Sequence, residues 1–390
     1  MSLPAFEFRV PPVIIFGRGA LQRAGPETRR FGARALVVCG RTARQRGDSV
    51  ARLIESLRAA DVEATVFDQV EPEPSNATVD TCVRAARDAD VDAMVGIGGG
   101  SPLDVAKAAA GVFTLGGSVE QYQPPDSRPI DRRALPFIGI STTAGTAAEI
   151  TQNAVIHSPK LKVKIGMRSP YWVPAVAIVD PALTDSMPPD LTARTGADAL
   201  AHALEGYVSR RATPVTDALA LEAIALVGRY LLRATRDGAD AEARDGMALA
   251  SMTAGMAFAN TGVGAAHSLA HALGALHGVP HGTACALFLP YVMEFNLEHA
   301  GRKFAHVARA LNPDLDGAEP LQGIAQVRKL MRELGLPQTL QAVGVKRQEL
   351  AAMVPGTMLS GALKSNPRDV SEADAMAILQ RAWEGEGEAQ

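Results

Sequence analysis

A chain of 390 residues, 47% of them apolar and 21% charged, has the make-up of a globular protein with room for two ordinary domains, which excludes a disordered or fibrous one. Its formal net charge of −3 supplies no electrostatic reason to bind nucleic acid or an anionic membrane. Three scattered cysteines, Cys39, Cys82 and Cys285, form no CxxC pair and read as buried thiols in a reducing compartment rather than a disulfide framework. The first ten residues show no secretory pattern, and no stretch approaches the roughly twenty apolar residues that span a bilayer, so the expectation is a soluble, cytoplasmic protein.

In chain order, β-branched runs predict strands at 35–39, 64–67, 93–97, 136–140 and 175–179, with helices between them at 49–60 and 79–88. That alternation predicts a parallel sheet with helices on its faces. Prolines and aspartates punctuate 180–190, and beyond them strand signal almost vanishes. Ala/Leu-rich helical patterns follow at 191–209, 215–233, 241–258 and 265–276. The expected organisation is an α/β domain over residues 1–187 and an all-helical domain over 188–390.

The expected strand at 93–97 runs into Gly98-Gly99-Gly100-Ser101-Pro102-Leu103-Asp104. Ser101 can cap a following helix, with Pro102 at its first position and Asp104 completing a capping box. Free backbone N–H groups behind side-chain-free glycines suit a pyrophosphate. The spacing departs from the strict GxGxxG fingerprint of Rossmann folds, and a tight turn without ligand explains it equally. A second polar loop, Ser141 to Glu149, offers Thr142, Thr143 and Thr146 around Gly145. It suits phosphate and ribose contacts, or a capping box of Thr146 and Glu149 on a following helix.

Asp198 and His202 stand at i, i+4 in a helical pattern, which puts a carboxylate and an imidazole on one face. His267 and His271 repeat the spacing, and His277 and His281 follow, His281 in a Val-Pro-His-Gly turn. Four of the eight histidines in one short segment, with the Asp/His pair upstream, point to a divalent metal, either Fe(II) or Zn(II).

The segments GGGSPLDVAK (98–107), TTAGTAAE (142–149), DALAHALE (198–205) and HSLAHALGALHGVPHG (267–282) resemble, in this order, the signatures of iron-containing (group III) alcohol dehydrogenases. The resemblance runs from Phe16-Gly17-Arg18 to Asn366-Pro367-Arg368. It implies a parallel, Rossmann-like dinucleotide-binding sheet in the α/β domain, a metal-binding all-helical domain, and a homodimer. It implies metal ligands Asp198, His202, His267 and His281. His271 matches a histidine near nicotinamide and substrate, and His277 matches no ligand position. Cofactor contacts are implied at Gly98, Gly99, Gly100, Ser101, Asp104, Thr142, Thr143, Thr146, Lys164 and Leu183. Asn153 and Phe258 match the nicotinamide and substrate pocket, though Phe258 equally suits plain core.

Two departures stand out. Gly40 occupies the position where many NAD-specific relatives carry an Asp for the ribose hydroxyls, and Arg41 or Arg44 could pair with a 2′-phosphate. The sequence therefore favours NADP, with NAD left open. Pro72-Glu73-Pro74 replaces the Pro-Asn-Pro of many relatives and puts an unexplained carboxylate near the cofactor.

The expected chemistry is hydride transfer between NAD(P)(H) and a small primary alcohol or aldehyde, the metal polarising the oxygen and His271 relaying the hydroxyl proton. Maleylacetate reductase-like or 4-hydroxybutyrate dehydrogenase-like activity is the alternative, and a hydroxy-acid substrate would call on Lys160, Lys162 or Arg168. A dehydroquinate-synthase-like metal lyase shares the layout but calls for more basic residues. A catalytically dead binding protein would not require all four ligands together.

Overall fold

The structure is a computed structural model and describes residues 5–124, 127–160, 163–315 and 317–385. They divide into two compact units: Arg9–Asp185, and a second that begins at Ser186 and takes in the start of the described chain.

The first unit contains strands β1 (Ile14–Phe16), β2 (Arg34–Gly40), β3 (Glu63–Val70), β4 (Ala93–Gly98), β5 (Phe137–Ser141), β6 (Asn153–Ser158), β7 (Val163–Arg168) and β8 (Val176–Val179). Its helices are α1 (Ala24–Arg29), α2 (Ala43–Arg46), α3 (Ser49–Ala59), α4 (Asn76–Asp88) and α5 (Gly100–Leu115). Six strands form one sheet in the order β1-β8-β5-β4-β2-β3, every neighbouring pair parallel. β1 and the antiparallel pair β6–β7 add to the five expected strands.

Successive residues of β2 face opposite ways. Leu36 and Val38 pack with Val79, Cys82 and Leu103 on one side, and Ala35, Val37 and Cys39 with Leu53, Leu57 and Leu21 on the other. Burial of both faces is why these strands read as continuous apolar runs. From β2 the chain goes outward to β3, crosses back to β4, and then moves through β5 to β8. Strand order thus reverses between β2 and β4, and open parallel sheets bind ligands at the carboxyl ends of strands beside such a reversal. Gly40 ends β2 and Gly98 ends β4, so both border that crevice.

Behind it lies a buried polar cluster. Lys107 of α5, fully buried, donates from Nζ to the carbonyls of Ala148 and Asn153, both at 2.7 Å, and to Thr151 Oγ1 at 3.1 Å. Burial pushes the Lys107 ammonium down from its ordinary value, while the Asp104 and Glu149 charges pull it back up. Burial likewise pushes the Glu149 carboxyl up to about 7 from 4.5, against the pull of Lys107. As pH rises through 4.5 the unfolded chain releases this proton while the folded chain keeps it. Stability therefore falls between about 4.5 and 7 and then levels, by on the order of 3 kcal/mol at about 1.36 kcal/mol per pH unit. Glu149→Gln is expected to lose that decline and to melt above the wild type at pH near 8. Calorimetry across the range checks it, and parallel wild-type and variant curves would refute the assignment.

The second unit is helical: α6 (Pro189–Val208), α7 (Pro214–Arg236), α8 (Ala241–Thr261), α9 (Ala265–His277), α10 (His281–Phe295), α11 (Leu297–Leu311), α12 (Pro320–Glu333), α13 (Leu350–Met358) and α14 (Glu372–Glu384). No strand occurs among its described residues. No described helix in either unit is long and apolar enough to cross a membrane. Helix α6 starts at a proline and is buried over almost all of its length after the first turn. Small residues allow its neighbours so close: a Cβ on Gly206 would stand 3.2 Å from Thr261 Oγ1 and 3.4 Å from Phe258 Cβ of α8.

Candidate functional site

The glycine segment of the first unit is built for close approach. Gly98 has φ of 147°, a conformation that side chains disfavour. A Cβ on Gly99 would lie 3.4 Å from Thr143 Cγ2, and one on Gly100 would lie 3.2 Å from Thr146 Cγ2. The loops after β4 and β5 therefore abut, tied also by Thr142 N–H donating to Gly98 O at 2.9 Å. Thr143 Oγ1 and Asn153 Oδ1 are buried without a hydrogen-bond partner, as polar atoms waiting for a ligand would be. The start of α5, two crowded glycines and these orphaned oxygens fit a dinucleotide. Leu183 lies beyond the carboxyl end of β8, in the short turn Pro181–Thr184, whose start is tied to Gly19 and Leu21 N–H by the Asp180 carboxylate.

Two expectations here need correction. Gly99, not Ser101, caps α5, so Ser101 and Pro102 fall two positions further into the helix than expected and no capping box forms. Asp104 turns inward instead, where Oδ2 accepts the Val155 N–H at 3.1 Å. Burial pushes its carboxyl up, while Lys107 holds it down. No helix follows Thr146 either. Ala147, at φ of 49°, begins a turn whose carbonyl accepts from Ile150 and Thr151 N–H, and Glu149 is buried rather than capping.

Both departures noted in the sequence find partners. Arg41 lies 3.6 Å from the partly buried Glu71 and donates from Nε to the Gln69 carbonyl at 3.0 Å, and Arg44 lies 3.3 Å from Asp68 in an exposed pair. A Cβ on Gly40 would come no closer than 3.8 Å to any atom, so the end of β2 is open. Glu73, at φ of 55°, accepts from Lys164 Nζ at 2.6 Å, so the unexplained carboxylate anchors the ammonium of an implied cofactor contact. Lys160 pairs with Glu120 at 3.0 Å. Arg168 ends β7, and Lys162 lies outside the described residues.

In the second unit, three helices bring acid and imidazole together. Asp198 Oδ1 of α6 stands 3.7 Å from His267 Nε2 of α9 and 3.6 Å from His281 Nε2 of α10. These separations are too long for hydrogen bonds, whereas donors about 2.1 Å from one tetrahedral ion stand about 3.4 Å apart. His281 is the first residue of α10 rather than part of the preceding turn. Gly282 makes the approach possible, since a Cβ there would meet the Arg194 carbonyl oxygen at 2.1 Å and Asp198 Cβ at 3.3 Å. Asp198 Oδ1 and His267 Nε2 are buried with no hydrogen-bond partner. Buried charge-bearing atoms left so are costly, and a divalent cation among them would remove the cost. The donor set therefore fits the metal.

His202 sits beside this group. Its Nδ1 is 3.8 Å from Asp198 Oδ2, and its ring lies 4.5 Å from that of His267. Phe258, buried, stacks on its other side at 4.1 Å and 11°, which fixes the imidazole plane. The donor atoms that converge to within 4.8 Å of one another come from Asp198, His267, His281 and Cys285. His271 is partly exposed, its ring stacked on His281 at 5.3 Å and edge-on to His267 at 6.4 Å. His277 closes α9, away from this donor group.

Two residues escape the sequence reading. Glu205 accepts from His267 Nδ1 at 2.5 Å and from Ala266 N–H at 2.7 Å. Burial raises its carboxyl, but the His267 imidazole and the N–H groups of Gly264 and Ala266 outweigh that and hold it below the ordinary value. An ionised carboxylate only accepts, so Nδ1 carries a proton, and Nε2 is the ring atom directed at Asp198, the one a metal there would take. Glu205 follows Asp198 by seven residues and His202 by three, a one-face spacing that could have revealed it. Cys285 follows His281 by four. Lastly, Asn296 and Asn366 exchange two side-chain amide hydrogen bonds, at 2.9 and 3.1 Å, and Asn366 Oδ1 also accepts the Ala265 N–H that opens α9.

Comparison with known proteins agrees with both units. Residues 11–181 match the family model for iron-containing alcohol dehydrogenase, and 192–383 the model for the C-terminal region of the Fe-containing alcohol dehydrogenase family. The chain is 37% identical over 389 residues to the 1,3-propanediol dehydrogenase of Klebsiella pneumoniae, covering 98% of this chain and 100% of that one. It is 36% identical to the NAD-dependent methanol dehydrogenase of Bacillus methanolicus, over 96% of this chain and 99% of that one. A crystal structure of a 1,3-propanediol oxidoreductase superposes with a TM-score of 0.93 at 37% identity, covering 97% of this chain and 100% of that one. The chain therefore belongs to the iron-containing alcohol dehydrogenase family, whose members are metal-dependent oxidoreductases of alcohols and aldehydes.

Proposed function

We propose that this enzyme interconverts a short primary alcohol and its aldehyde, using a divalent metal held by Asp198, His202, His267 and His281. The convergence of unpartnered Asp198 Oδ1 and His267 Nε2 with His281 Nε2 is the observation that carries this reading. When bound, the metal supplies Lewis-acid polarisation of the substrate oxygen, and the nicotinamide supplies the hydride acceptor or donor. The chain's own part is to hold and orient. Glu205 fixes the His267 tautomer, Phe258 fixes the His202 plane, and the glycine and threonine loops after β4 and β5 receive the dinucleotide through Gly98, Gly99, Gly100, Ser101, Thr142, Thr143 and Thr146. Asn153, Lys164 and Leu183 complete its contacts. His271, partly exposed beside the donors with its ring stacked on that of His281, moves the hydroxyl proton through a ring nitrogen.

The names of the propanediol and methanol relatives support a short, uncharged substrate, as does the engagement of Lys160 by Glu120. For the cofactor, the open end of β2 and the exposed arginines at 41 and 44 support acceptance of NADP beside NAD. That Arg41 and Arg44 already have carboxylate partners supports tolerance of a 2′-phosphate rather than strict selection for one. A homodimer in the cytoplasm completes the reading.

The test is metal content together with NADH and NADPH oxidation against short aldehydes, before and after chelation and Fe(II) or Zn(II) add-back. Activity that leaves and returns with the metal supports the reading; activity indifferent to chelation overturns it. His271→Ala is expected to retain metal, slow turnover and change its pH dependence. A variant with the wild-type rate and pH profile would remove His271 from the proton path.

A further inference from the structure

Cys39 and Cys82 lie in the apolar cores on either face of the sheet. Cys285 is placed otherwise. It is fully buried on α10, one turn beyond His281 and on the same face, among Asp198, His267 and His281. Its Sγ stands 3.6 Å from His281 Nε2. Adjacent donors on one ion, a sulfur about 2.3 Å and a nitrogen about 2.1 Å from it, stand about 3.1–3.8 Å apart at the angles of about 90–120° that a five-coordinate site uses. Two atoms facing the same spot, Asp198 Oδ1 and His267 Nε2, are buried without hydrogen-bond partners, and so mark a ligand position independently of the cysteine.

We propose that Cys285 is a further donor to the metal, so that this enzyme's centre is a nitrogen, oxygen and sulfur site. The inference rests on the metal-centre reading above and deepens it. As the sulfur–metal bond forms, the thiol proton leaves to solvent and no electrons change hands. A soft thiolate in place of an all nitrogen and oxygen set moves the preference of the site from iron toward zinc and cobalt. Burial shields the sulfur from bulk solvent, which suits a ligand better than a reactive thiol.

Cobalt-loaded enzyme tests it, with cobalt per chain measured on the same samples. The wild type is expected to show a sulfur-to-cobalt charge-transfer band in the near ultraviolet, and Cys285→Ser to lose the band while retaining cobalt. Cys285→Ala, which leaves no donor atom, should do the same, with far-ultraviolet circular dichroism as the check on folding. Zinc-edge X-ray absorption on the wild type needs no variant, and should show a sulfur at about 2.3 Å. A wild type that binds cobalt without the band, together with a zinc shell of nitrogen and oxygen alone, overturns the role of Cys285 and leaves the metal centre standing. A wild type that takes up neither cobalt nor zinc overturns both.

Discussion

Replacing His267 with alanine is expected to strip the metal and abolish metal-dependent turnover. The imidazole occupies the middle of the donor group, 3.7 Å from Asp198 Oδ1 on one side and bonded to Glu205 on the other. Its loss removes a donor and also takes the imidazole partner from the buried Glu205 carboxylate, which keeps its backbone N–H partners, a change that costs on the order of a few kcal/mol. Inactivity must therefore be separated from misfolding. His281→Ala does so: its side chain is 29% exposed and stands 3.6 Å from Asp198 Oδ1, beyond hydrogen-bond reach, so that variant should fold normally yet bind metal poorly. Metal per chain and turnover, measured on both, decide the matter. A folded His267→Ala enzyme that keeps full metal content and activity would show the ligand assignment to be wrong.

Glu205→Gln tests orientation rather than ligation. The amide keeps the shape of the carboxylate but loses the charge that requires a proton on His267 Nδ1. Partners that orient a metal-bound histidine in this way typically contribute about 10–100-fold in metal affinity. The expected result is a drop of that size in competition against a chelator, with the fold intact. At saturating metal, kcat should fall more than KM rises, because the imidazole still reaches the site but is less basic. Unchanged metal affinity would reduce Glu205 to an anchor for the start of α9, the part it also plays through the Ala266 N–H.

The strands β2, β4, β5 and β8 were legible because burial on both faces leaves continuous apolar runs such as Ala35 to Cys39. The pairing of Asp198 with His202 was legible for the opposite reason: the two polar residues bracket an Ala-Leu-Ala run and are conspicuous there. The β6–β7 hairpin was not, because His157, Lys164 and Arg168 interrupt the apolar pattern of two segments of only six residues each. Asp104 sits at capping-box spacing, but local spacing cannot show that Lys107 and the Val155 N–H draw the carboxylate inward. Glu205 reads as one more helix former until α9 is placed against it. Cys285 reads as core until Gly282 lets α10 close on α6.

The amide pair of Asn296 and Asn366 bears on how the protein is made. A chain emerges from the ribosome N-terminus first, and its domains fold as their sequence becomes available. Asp198, His202, Glu205, His267 and His281 are all synthesised before residue 366, which is the last to secure the opening of α9. A nascent chain halted between residues 285 and 366 holds every proposed donor but lacks the amide that settles His267's helix in place. Capture of a metal by the site proposed above would thus belong to the closing stage of translation or to the released protein.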